Sequence, residues 1–192
     1  IQKDPNEQIG PFMRNETLGF IAGENIKVLG YYSFVDLKNI IELDFPNCEK
    51  IMMRAFNGCR LSWINFPKVK SVGKEAFWKT GSYIGEVHLP NCEEIGARAF
   101  NDFSVLGLIK APKADYLTYA EFEDNVFYEK EDSVSSEYLF YNCRYLTEVD
   151  LPEFTTIGTN AFKKSAIKRL DLSNVEYIYD LPNTITVYNG ET

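Results

Sequence analysis

The sequence predicts a solenoid of short stacked strands, about eight coils of roughly 22 residues each. Three observations carry that expectation. Phenylalanine behind a small residue recurs at Ser33-Phe34, Ala55-Phe56, Ala76-Phe77, Ala99-Phe100 and Ala161-Phe162; with Phe122 and Phe140 the steps are 22, 21, 23, 22, 18 and 22. A proline ladder keeps the same register ten residues upstream, at Pro46, Pro67, Pro90, Pro112 and Pro152. A unit of this length has too few residues to bury its own apolar face, so it must stack on copies of itself.

Each unit reads from a strand into a turn and back. In the unit that starts at Leu146, the apolar residues Leu146, Val149 and Leu151 end in strict alternation, which suits a strand with one buried face. Pro152 then stops the strand. The same places hold Ile40/Leu43/Phe45, Leu61/Ile64/Phe66, Ile84/Val87/Leu89 and Leu106/Ile109/Ala111. Val72-Gly73, Ile95-Gly96 and Ile157-Gly158 suggest a return segment with a tight turn, and the phenylalanine closes the back of the coil. The roughly dozen residues left for the return leave no room for a long amphipathic helix.

The pattern L-x-x-[IV]-x-[LF]-P, then [IV]-G-x-x-A-F-x-x-C, resembles the BspA-type leucine-rich repeat of bacterial surface proteins and some protists. The resemblance covers about residues 18–178 and is specific in the units ending at Phe56, Phe77, Phe100 and Phe162. Elsewhere it thins: Glu24 stands where proline is expected, Glu121 where the small residue sits, and the last unit has Ser173 and no phenylalanine. It implies a leucine-rich repeat solenoid, a right-handed parallel-β coil with little α-helix. It also implies a cell-surface or extracellular location and an adhesive role.

A solenoid closes its open ends with atypical segments. Residues 1–17 read as an N-terminal tail or cap, residues 18–174 as the repeats, and residues 175–192 as a C-terminal cap with a closing hairpin around Pro182-Asn183-Thr184. The unit at 123–143 is irregular and carries the acidic stretches Glu123-Asp124-Asn125 and Glu129-Lys130-Glu131-Asp132. The chain opens Ile1-Gln2-Lys3 without an initiator methionine, which suggests a processed or trimmed piece whose signal or anchor has been removed.

Composition narrows the functions. The 192 residues are 45% hydrophobic with a net charge of −8, too apolar for disorder and with no basic cluster for nucleic acid. No apolar run reaches the length of a membrane span. The charge favours a soluble monomer. Four cysteines invite a disulfide reading, but like-placed Cys48 and Cys92 lie two units apart and Cys59 and Cys143 lie four apart, leaving only Cys48–Cys59 within reach. Buried free thiols are expected instead. His88 is the single histidine, and Cys92 lies four residues on with no further ligand converging, so neither a metal nor another cofactor is expected.

Catalysis lacks raw material. His88 has no Ser or Cys nucleophile beside it on the ladder, and no phosphate loop or dinucleotide fingerprint is present. Asp150 and Asp171 stand in equivalent places and would be the carboxylates of a carbohydrate-active enzyme, yet a flat strand face offers no cleft to raise one pKa. The outward strand positions say more. Trp63, Glu86, His88, Leu108, Lys110 and Tyr128 form the middle of one face, where aromatic side chains among polar groups suit a protein or glycan ligand. The expectation is a non-catalytic binding module. A passive spacer displaying another domain, an intracellular scaffold and the enzyme reading are the alternatives.

Overall fold

A computed structural model describes residues 10–188 apart from 41, 82, 117–136, 181, 183 and 184. Among the described residues fifteen short strands follow in chain order: β1 (Phe20–Ala22), β2 (Val28–Leu29), β3 (Glu42–Asp44), β4 (Lys50–Ile51), β5 (Trp63–Asn65), β6 (Ser71–Val72), β7 (Glu86–His88), β8 (Glu94–Ile95), β9 (Leu108–Lys110), β10 (Asp115–Tyr116), β11 (Glu148–Asp150), β12 (Thr156–Ile157), β13 (Arg169–Asp171), β14 (Tyr177–Ile178) and β15 (Thr186–Tyr188). No helix occurs among the described residues. Odd-numbered strands build a front face, even-numbered strands a back face, and every pairing is parallel. The chain is a parallel-β solenoid.

The alternation in the sequence sets the faces. Leu43, Val87 and Ile109 at the centres of front strands are fully buried, while their strand neighbours point outward. In the back strands the second residue turns inward, as Leu29, Ile51, Val72 and Ile95 do. Glycine follows where coils touch: a Cβ on Gly73 would lie 2.6 Å from the Met53 nitrogen, and one on Gly96 would lie 2.5 Å from that of Lys74. Ala55, Ala76 and Ala99 are fully buried beside the phenylalanines.

Those phenylalanines form one column through the core. Phe12, Phe34, Phe56, Phe77, Phe100, Phe140 and Phe162 stack in sequence, with ring centroids 5.1–5.7 Å apart and planes within 20° of parallel. Main-chain bonds tie each rung to the next: Phe56 N–H donates to the Ala76 carbonyl at 2.8 Å and Phe77 N–H to that of Ala99 at 2.9 Å. Residues two before and two after each ring adopt the left-handed conformation, among them Arg54, Glu75, Lys79, Arg98, Asp102 and Lys164, with φ from 54° to 62°. Each coil thus bends sharply on either side of its ring.

Three expectations change. Six complete turns form, each with a front strand, a back strand and a closing ring, at Phe34, Phe56, Phe77, Phe100, Phe140 and Phe162, rather than about eight. The difference lies at the irregular unit: β9 pairs directly with β11, and Phe100 stacks directly on Phe140 at 5.7 Å. Phe122, whose 22-residue step fits the ladder, lies outside the described residues. At the C-terminal end there is no hairpin between the last two strands: β14 pairs with β12 and β15 with β13, both parallel, so the coil pattern continues. At the other end Phe12 already stacks on Phe34 at 5.4 Å and donates its N–H to Ser33. The turn of the Pro182-Asn183-Thr184 segment and most of residues 1–17 lie outside the described residues.

Candidate functional site

The back sheet runs unbroken from β2 through β4, β6 and β8 to β10, but the front sheet divides. β1, β3 and β5 form one sheet and β7, β9 and β11 another, with no ladder between β5 and β7. The cause is two extra residues: Phe56 and Pro67 are 11 apart, Phe77 and Pro90 are 13 apart. Gly81 N–H donates to Cys59 and Tyr83 N–H to Leu61, each across 22 positions. Ile64 and Val87, the inward residues of β5 and β7, are 23 apart. A ladder bond spans one position more than the register it belongs to, as Leu108 N–H to the Gly85 carbonyl shows where Leu108 pairs with Glu86. The register is therefore 21 as far as Tyr83 and 23 at β7, and the ladder does not continue across the change.

The break opens a cleft of about 530 Å³. Trp63 and Tyr83 stand on its rim, 44% and 81% exposed, with Asn65, Glu86 and His88 along its walls. His88 Nε2 lies 3.1 Å from Glu86 Oε2. The Asn65 amide donates to Asp44 Oδ1 at 3.0 Å, which fixes its side chain against β3. Ile64 is partly exposed at the floor, whereas Leu43, Val87 and Ile109 in the same place of other coils are fully buried.

Three of the residues singled out from sequence, Trp63, Glu86 and His88, thus meet in one cleft. Leu108 and Lys110 lie beside it on β9 as the strand partners of Glu86 and His88, both half-buried. Tyr128 lies outside the described residues. Tyr83 was not anticipated, nor was the cleft. The signal for both is the step of 23 between Phe77 and Phe100, where the neighbouring steps are 21 and 22.

The remaining titratable groups serve the coil. Glu75, its side chain 3% exposed, is held between the Arg54 Nε on one side and Arg98 Nη1, 3.5 Å away, on the other. Arg54 lies over Tyr32 and Arg98 over Tyr138, extending the row by cation–π contact. All four cysteines are free and buried. Cys59 and Cys143 each donate to the carbonyl of the phenylalanine one coil back, Phe34 at 2.7 Å and Phe100 at 2.9 Å. Burial pushes the Cys48 thiol up to about 11 and those of Cys59, Cys92 and Cys143 up to about 12. Asp150 and Asp171 sit in strands of different sheets, β11 and β13. The Ser173 hydroxyl and N–H hold the exposed Asp171 carboxylate below its usual range, opposite to the shift a general acid needs. Among the described residues no group of three or more His, Cys, Asp or Glu side chains is placed to hold a metal, and no helix is long and apolar enough to cross a membrane.

A family model described as a BspA type leucine rich repeat region, present in six copies, matches residues 27–136 and 129–181. Its six copies equal the number of complete turns. No curated protein and no solved structure gives a significant match.

Proposed function

The chain belongs to the BspA-type leucine-rich repeat family, and on that premise we propose that it is a non-catalytic binding module of a cell-surface or secreted protein, adhering to host or matrix proteins, other cells or glycans. The repeats of this family are generally non-catalytic and its members are often surface adhesins. One observation supports placing the contact on the front face: Trp63 stands 44% exposed over the cleft that Glu86 and His88 line. A large aromatic ring gives much contact area for two rotatable bonds, and a binding anchor needs that economy. Leu108 and Lys110 continue the same face on β9.

The test is solid-phase binding of the chain to arrayed matrix proteins and glycans, beside a folded Trp63→Ala/Lys110→Ala variant. Specific binding that the variant loses supports adhesion through this face. Binding that the variant keeps moves the contact elsewhere on the coil. A chain that binds nothing on the array strengthens the spacer alternative.

A further inference from the structure

We propose that the cleft between β5 and β7 takes an extended basic peptide segment of a partner protein, which adds itself as a strand. The proposal rests on the binding-module reading and gives its ligand a chemical class.

The main chain supports it first. In a parallel sheet successive residues turn their N–H and C=O to opposite neighbours. Asn65 accepts from Phe45 N–H at 3.3 Å, so the odd positions of β5 bond toward β3 and the N–H and C=O of Ile64 face the cleft. On the far wall the Gly85 carbonyl accepts from Gly107 and Leu108 at 2.7 and 3.0 Å, and Leu89 N–H donates to Lys110 at 2.8 Å. The odd positions there bond toward β9, which turns the main-chain groups of Glu86 and His88 to the cleft. Two strand edges that run the same way thus oppose each other without a ladder, and such edges are templates for an incoming strand.

Room and charge point the same way. A Cβ built on Gly85 meets nothing within 4 Å, whereas on Gly107, one coil further, the Gly85 carbonyl lies 3.3 Å away. Ile64 offers a partly exposed apolar floor, where Leu43 and Val87 in the two adjoining coils are fully buried, and Trp63 and Tyr83 rise on the rim to cover a bound chain. The outward residues of β3, β5 and β7 are Glu42, Asp44, Trp63, Asn65, Glu86 and His88. They include three carboxylates and no lysine or arginine. A segment with Lys or Arg at alternate positions fits this rim, and a proline-rich or acidic one does not.

The experiment immobilises the full chain, pans it with a phage-displayed random dodecapeptide library and resynthesises the recovered sequences. The expected peptides place Lys or Arg at alternate positions with β-branched residues between. N-methylation of alternate amides weakens them at least about tenfold, because it removes ladder bonds and leaves the side chains alone. Gly85→Leu fills the cleft and abolishes their binding. Asp44→Lys, which leaves the cleft backbone untouched, weakens it about fivefold or more. Failure to enrich any peptide overturns the proposal, as does binding indifferent to N-methylation or to both substitutions. Glycan binding that Gly85→Leu removes makes the cleft a sugar site, which overturns the peptide class and leaves the adhesion reading standing. Matrix binding lost in Trp63→Ala/Lys110→Ala but kept in Gly85→Leu does the same.

Discussion

Leu108 and Glu148 are strand partners, forty residues apart in the chain and side by side in the front sheet. Their pairing shows that neighbouring strands of the front sheet can lie forty residues apart in the chain. Tyr116 pairs with Ile95, and the Glu137 carbonyl accepts from Arg98 at 3.1 Å. In the preceding coil the matching places, Ile95 and Ala97, are separated by Gly96 alone.

Replacing residues 117–136 by one glycine should therefore restore a regular turn. The expected product melts cooperatively by circular dichroism, within about 4 °C of the parent, the shift that roughly 1 kcal/mol produces at this size. Loss of a cooperative transition would show that the segment is needed for the stack to form.

The phenylalanine column predicts graded costs. Phe77 touches rings on both sides, at 5.3 and 5.5 Å, and is fully buried. Phe77→Ala should cost about 4 kcal/mol in urea unfolding, from lost transfer energy and the cavity left behind. Phe12→Ala at the end of the column, where Phe12 is 41% exposed, should cost under about 2 kcal/mol. Equal costs at the two sites would contradict a core built from nearest-neighbour contacts.

Glu75 predicts a charge effect. Glu75→Leu leaves Arg54 and Arg98 facing each other without the carboxylate between them. Both arginine side chains are 37% exposed, so water screens part of the repulsion and the expected loss is about 2 kcal/mol. The triple variant Arg54→Met/Glu75→Leu/Arg98→Met should recover most of it, measured as the urea midpoint. A triple variant as weak as the single one would assign the loss to packing rather than to charge.

The buried thiols predict an alkaline limit. In the fold they stay protonated to about 11 or 12, while in the unfolded chain a thiol ionises near its ordinary 8.5. The unfolded state then binds fewer protons, so stability is full below about pH 8.5 and falls as pH rises from there toward the folded values. Unfolding midpoints between pH 8 and 10.5 should decline, and the decline should be shallower in Cys59→Ala/Cys143→Ala, whatever that variant's starting stability. Parallel slopes in the two proteins would place the effect on other groups.

The period was legible because each phenylalanine and each proline reports a constraint that every coil repeats. Ala55-Phe56 and Ala76-Phe77 show a ring that needs a buried methyl beside it, and the strand alternation around Val87 shows which face is inward. Phe12 escaped notice because Pro11, not a small residue, precedes it. Phe122 fits the ladder by spacing and lies outside the described residues, among which β9 pairs with β11. Trp63, Glu86 and His88 were visible one at a time as outward residues, but their common cleft depends on a register slip. The sequence records that slip only as two added residues between Phe77 and Pro90.

The bends beside each ring have a consequence for engineering. Among the described residues twelve other than glycine hold a positive φ, against one glycine, Gly58. A left-handed L-residue costs roughly 1 kcal/mol that glycine does not. The solenoid therefore carries a distributed reserve of stabilising changes, one coil at a time, that alter no core contact. Where the side chain works across coils, as in Arg54, Glu75 and Arg98, glycine would forfeit more than it returns. Where it reaches only a neighbouring surface ring, as Lys164 does over Tyr141 at 5.1 Å, the exchange favours glycine. Such a hardened scaffold would leave the front strands free to be rewritten.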